Sequence, residues 1–138
     1  MILVFGGAYQ GKLDFAKTLC PEGSVCDLRG CASDTEVIEA MDFRADIICG
    51  LDAFAWSCTA DGLEAADEMR GCRDLWQDKI LIITDVSQGI VPIDARERAF
   101  REMNGRLMMY LAKEAKEVYR VFCGIGKQIR RQDDEEIL

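Results

Sequence analysis

The sequence predicts an α/β protein, with a mainly parallel sheet, helices on both of its faces and a C-terminal β-hairpin. Three observations lead there. Apolar runs of strand length alternate with segments of helical spacing along most of the 138 residues, the order that builds a parallel sheet through helical crossovers. Residues 79–85, Lys-Ile-Leu-Ile-Ile-Thr-Asp, form a continuous β-branched and leucine run with a charge at each end, as a strand buried on both faces requires. The first apolar run, residues 2–5, passes directly into Gly6-x-x-x-x-Gly11-Lys12, the turn that joins strand to helix in P-loop NTPase-type folds.

The elements follow in order. Strand 2–5 leads to a helix over 12–19, ended by Pro21 and Gly23. A short strand at 24–28 comes next. Ser33 with Glu36 three residues later has the form of a capping box and opens a helix reaching Phe43. Residues 46–51, Asp-Ile-Ile-Cys-Gly-Leu, read as a buried strand, and 53–72 as mostly helical, weakened at Gly62. After the strand at 79–85, the loop 86–93 carries Gly89 and Pro92. A long helix spans 94–115, because Ala99, Met103, Leu107, Tyr110, Leu111 and Ala115 recur at three- and four-residue steps. Strand 117–123 is then turned by Gly124-Ile125-Gly126 into a last short strand at 127–130. One domain over 1–132 and an acidic, solvated tail over 133–138 complete the expected organisation.

Composition narrows the function. With 49% apolar and 30% charged residues the chain has ordinary globular proportions. No apolar stretch reaches the roughly 18–20 residues that cross a bilayer, and no signal segment is evident, so a cytoplasmic protein without a membrane partner is expected. A net charge of −8 disfavours nucleic acid as a partner. Seven cysteines include no C-x-x-C pair, and no histidine exists to complete a zinc site with Cys20, Cys26 and Cys31. Reduced thiols and no metal site are expected. The absence of histidine also removes the commonest general base and any nucleotidyl-histidine intermediate.

The glycine-rich turn carries the chemistry. The backbone N–H groups of Gly6, Gly7, Ala8, Tyr9, Gln10 and Gly11 are placed to curl around phosphates, with Lys12 as a point charge for the terminal ones. The following helix aims its positive end at the same anion. The pattern then asks for Ser or Thr to ligate magnesium, and this chain has Leu13. GTP or ATP is the expected ligand, with magnesium bound weakly or not at all. The bland alternative is a tight strand-to-helix connection. Arg98, Arg101 and Arg106 are further candidate cations, or simply solvated helix residues.

A second segment is more specific: Thr84-Asp85-Val86-Ser87-Gln88-Gly89-Ile90-Val91-Pro92, then Arg98-Ala99-Phe100-Arg101-Glu102-Met103-Asn104-Gly105-Arg106. With the glycine turn, Ala112, Ala115, Glu117-Val118 and Gly124, it resembles the bifunctional adenosylcobinamide kinase/guanylyltransferase family of cobalamin synthesis. The resemblance covers residues 1–19 and 80–130. It implies a P-loop fold, a homotrimer, magnesium and GTP or ATP. In the family one reaction phosphorylates the aminopropanol hydroxyl of adenosylcobinamide, and the other transfers GMP to that phosphate through a nucleotidyl-histidine.

The departures fall on the chemical positions. Leu13 replaces the magnesium Ser/Thr, the family histidine has no counterpart, and the middle of the chain is shorter. The family's strand-end acid aligns near Gly50; Asp52 stands two residues on, sharing its face if the strand continues, or capping the helix before Ala53. Asp85 replaces Glu, Thr84 replaces Asn and Met108 replaces Asn. Gly6, Gly11, Lys12, Gly89, Pro92, Gly105 and Arg106 are kept. The arginines would bind ligand or a neighbouring subunit, or else nearby carboxylates. The resulting expectation is a divergent member that binds a nucleotide or phosphate, with guanylyl transfer lost and kinase activity impaired or absent. One rival is a retained kinase acting on a cobinamide-type alcohol, with Lys12 on the phosphates and Asp85 or Asp52 holding magnesium or the hydroxyl. Another is a structural or regulatory subunit without nucleotide.

Overall fold

The computed structural model describes residues 1–87 and 94–131. Its elements are β1 (Ile2–Gly6), α1 (Lys12–Leu19), β2 (Val25–Asp27), a 3-10 turn (Leu28–Gly30), α2 (Asp34–Ala40), β3 (Ile47–Cys49), α3 (Leu51–Asp61), α4 (Ala65–Gly71), α5 (Arg73–Trp76), β4 (Ile80–Thr84), α6 (Ala95–Glu114), β5 (Glu117–Phe122) and β6 (Ile125–Arg131). Six strands form one sheet in the order β2-β3-β4-β1-β5-β6. Every neighbouring pair is parallel except β5 with β6, the antiparallel hairpin.

Strand alternation sorts the core into two layers. Leu3, Ile48, Leu81, Ile83 and Val118 face a large cluster supplied by α2 to α6, with Val37, Leu51, Phe54, Met69, Trp76, Leu107 and Leu111 among its members. Val4, Ile47, Cys49, Ile80, Ile82 and Val121 face α1 through Ala16, Leu13 and Phe15. Helices therefore cover both faces, five on one and one on the other. Trp76, fully buried, satisfies its indole N–H on the Met69 carbonyl at 2.8 Å, which is what allows so large an amphipathic ring inside.

Several boundaries differ from the sequence expectations. Ser33 caps α2, its hydroxyl accepting from the Glu36 N–H at 3.1 Å, but the helix stops at Ala40 rather than Phe43. The Asp42 carboxylate accepts from the Arg44 N–H at 2.9 Å, a local turn that competes with helix. The strand expected at 46–51 ends at Cys49, because Gly50 takes φ 89° and opens α3 as its N-cap. Asp52 is thus neither on a continued strand nor the cap; it lies in the first helical turn. The helical stretch 53–72 is two helices, with Gly62 ending α3 in a left-handed conformation. On α6 the buried stripe is Met103, Leu107 and Leu111 with Asn104, while Ala99 is exposed. The hairpin turn is Cys123-Gly124, both at positive φ (52° and 77°), the two-residue geometry that matches strand twist; Ile125 and Gly126 already belong to β6. The loop residues Gly89 and Pro92, the boundary at 132 and the acidic tail lie outside the described residues. No helix among the described residues is long and apolar enough to cross a membrane.

Candidate functional site

The strand order reverses beside β1, so the carboxyl ends of β1 and its neighbours open a crevice, the usual ligand position of such sheets. Close packing fixes the glycine loop there. A Cβ on Gly6 would stand 2.4 Å from the Val121 carbonyl oxygen of β5, so only glycine lets the strand end lie this close. The Asp85 N–H donates to the Gly6 carbonyl at 2.8 Å. The hairpin turn clamps the other side of the loop: the Gly124 N–H donates to the Gln10 carbonyl, and the Cys123 N–H to Gln10 Oε1, each at 2.7 Å. The C-terminal hairpin is therefore part of the site's scaffold.

Two cavities flank the loop. The larger, about 530 Å³, is lined by Ala8, Tyr9, Gln10, Gly11, Lys12 and Leu13, and across from them by Arg29, Asp52 and Thr84. The smaller, about 450 Å³, includes Gly6, Gly7, Asp85, Arg120 and Phe122. Lys12 is only 7% exposed. Its Nζ donates to the Gly7 carbonyl at 2.7 Å, which curls the ammonium back under the loop. Burial pushes its pKa below the ordinary lysine value, and the Asp52 carboxylate opposes that shift. Asp52 accepts from the Thr84 N–H at 3.1 Å, tying α3 to the end of β4. Buried Asn104 of α6 donates to the Thr84 carbonyl at 3.0 Å, holding the same strand end from the other side.

Thus Lys12, Leu13 and Asp52 come together, whereas Asp85 lines the other cavity and accepts from the Ser87 N–H and hydroxyl at 2.9 and 2.6 Å. Arg106 is a correction: its guanidinium makes a two-pronged pair with Glu64 at 2.9 and 3.0 Å and lines neither cavity. Arg98 and Arg101 line neither cavity as well. The residue that sequence reasoning missed is Arg29, just beyond β2. Its signal was available, since residues following parallel strands point toward the crevice.

The donor set lacks the hydroxyl that ligates magnesium next to a P-loop lysine. Leu13 offers no oxygen, one Asp52 oxygen is already engaged, and the Arg29 guanidinium opposes a cation in the same cavity. Magnesium at a phosphate site is held by one or two carboxylates together with waters and the phosphates themselves, and the carboxylates on this cavity are Asp14 and Asp52.

Comparison with known proteins points the same way as the fold. The sequence model of the family described as cobinamide kinase / cobinamide phosphate guanyltransferase matches residues 56–129. The bifunctional adenosylcobalamin biosynthesis protein CobU of Escherichia coli (strain K12) is 41% identical over 51 residues, which is 37% of this chain and 28% of that relative. The chain thus aligns with little more than a quarter of this curated relative's length. The family match begins after the glycine loop and Asp52, so those residues rest on the sequence motif and the geometry.

Proposed function

Starting from a chain that belongs to the cobinamide kinase / cobinamide phosphate guanyltransferase family, we propose that its larger cavity binds the polyphosphate of GTP or ATP. Guanylyl transfer is lost in this reading, and kinase activity is impaired or absent. The observation that carries the proposal is the buried Lys12 ammonium under the 6–12 loop, on a cavity whose next residue, Leu13, has no metal ligand. A lysine this desolvated is poised for an anion that replaces the lost hydration. Gly6, Gly7, Ala8, Tyr9, Gln10 and Gly11 contribute the loop backbone.

Phosphoryl transfer depends on positioning together with a metal that bridges the phosphates. Without protein anchorage for that ion, binding outlasts catalysis. The missing histidine removes the covalent route to a GMP–enzyme intermediate. Asp52 beside Lys12 favours the retained kinase as the second reading, with Asp52 oriented to the acceptor hydroxyl of a cobinamide-type alcohol.

Isothermal titration with GTP and with ATP, each with and without magnesium, tests the proposal. Metal-independent binding is expected. Binding that requires magnesium would favour the retained kinase, and no binding would favour a structural subunit.

A further inference from the structure

Lys12 is not the only cation at the larger cavity. Arg29 follows β2, on the far side of β3 and β4 from Lys12, yet the two side chains line one space and lie within electrostatic reach of each other. Strand spacing in a sheet is about 4.8 Å per step, so only long side chains from β1 and β2 could meet across two intervening strands. A lysine and an arginine are such side chains.

Arg29 is held in place on two sides. The Asp27 carboxylate accepts from its Nε at 2.9 Å and its Nη2 at 2.7 Å, and also from its backbone N–H at 3.0 Å. A guanidinium has five N–H donors in a fixed fork, so this pair orients the group and leaves the other donors unspent. The Asp27 pair also pushes the Arg29 pKa further up, which keeps the charge permanent. On the other side lies Gly50. A Cβ there would stand 2.9 Å from Arg29 Cγ, 3.0 Å from the Arg29 nitrogen and 3.3 Å from Leu28 Cβ, and the residue sits at φ 89°. A side chain at 50 and the Arg29 stem exclude each other. The bare backbone at the end of β3 and the cation after β2 are one arrangement.

The cavity carries carboxylates at Asp14 and Asp52 against the single ammonium of Lys12, a poor setting for a polyanion. Arg29 brings the lining to two cations against two carboxylates where Leu13 supplies no metal. We propose that Arg29 is a second polyphosphate-binding cation, oriented by Asp27 and admitted by Gly50, that serves in place of a bridging metal. This rests on the cavity's being a polyphosphate site. A single phosphate can meet one cation; a chain of phosphates can reach both.

The test is titration of the whole chain with tripolyphosphate, GTP and orthophosphate in EDTA, for the parent and for Lys12→Ala, Arg29→Gln and Asp27→Asn, with melting curves confirming that each variant folds. Arg29→Gln should weaken tripolyphosphate and GTP by about tenfold or more, the loss of charge-assisted hydrogen bonds, and orthophosphate by much less. Asp27→Asn keeps the guanidinium charge and loses only its orienting carboxylate, so tripolyphosphate affinity should fall by clearly less than in Arg29→Gln. If Arg29→Gln binds as the parent does while Lys12→Ala does not, the Arg29 assignment falls and the Lys12 site stands. If Asp27→Asn loses as much as Arg29→Gln, the effect belongs to the ion pair as structure, and the assignment again falls. If the parent binds neither GTP nor tripolyphosphate, both readings fall together.

Discussion

Lys12 reports on the site by its protonation. Burial lowers its pKa below the ordinary 10.5, so between the lowered value and 10.5 the folded chain binds fewer protons at this residue than the unfolded one. Its contribution to stability therefore rises with pH across that window. A bound polyphosphate favours the charged ammonium and restores the proton. GTP binding should accordingly take up protons, and affinity should fall as pH rises through the lowered value. Titrations in two alkaline buffers of different ionisation heat would show the uptake in the parent and none at this site in Lys12→Ala. The neighbouring position gives the complementary prediction. Leu13→Ser supplies a hydroxyl beside Asp52, so magnesium should strengthen GTP binding in this variant more than in the parent; an unchanged magnesium response would mean that Asp52 does not reach the ion.

Among the elements, the glycine loop depends on the C-terminal hairpin as much as on β1. Gly6→Ala forces a Cβ into the Val121 carbonyl at 2.4 Å, and overpacking against backbone costs about 1–3 kcal/mol; a lower denaturation midpoint is expected. Gln10→Ala removes the acceptor of the Cys123 N–H, a loss of about 0.5–1.5 kcal/mol. Faster amide exchange at Cys123 and Gly124, with little change in the sheet, would show that the clamp is local. This clamp was not legible in the sequence, because Gln10 and Cys123 meet only through the pairing of β1 with β5. The strands were legible, since continuous apolar runs such as 79–85 admit few other readings. Helix ends were less so: the Asp42–Arg44 turn and the left-handed Gly50 are local conformations that periodicity does not encode. Arg106 misled because its helix position is compatible with the cavity or with α4, and Glu64 decides between them.

For the whole molecule, family membership sets expectations that single residues put to the test. With no histidine among 138 residues, incubation with α-labelled GTP should leave no acid-labile label on the protein. A stoichiometric adduct would require another nucleophile, such as a lysine. The resemblance also predicts a homotrimer. Exposed Phe122, Ile125 and Ile129 on the hairpin leave apolar surface open in the single chain, consistent with burial between copies. Sedimentation equilibrium at micromolar concentration should give a mass well above 15.5 kDa; a clean monomer would contradict it.

The central claim is that the 6–12 loop and Lys12 hold a polyphosphate without metal. Phosphorus NMR of GTP in EDTA tests it most directly. Adding the parent chain should shift or broaden the β- and γ-phosphorus resonances, and adding Lys12→Ala should leave them nearly where they are in free GTP. Resonances that move only after magnesium is supplied, or that move equally with Lys12→Ala, would contradict it.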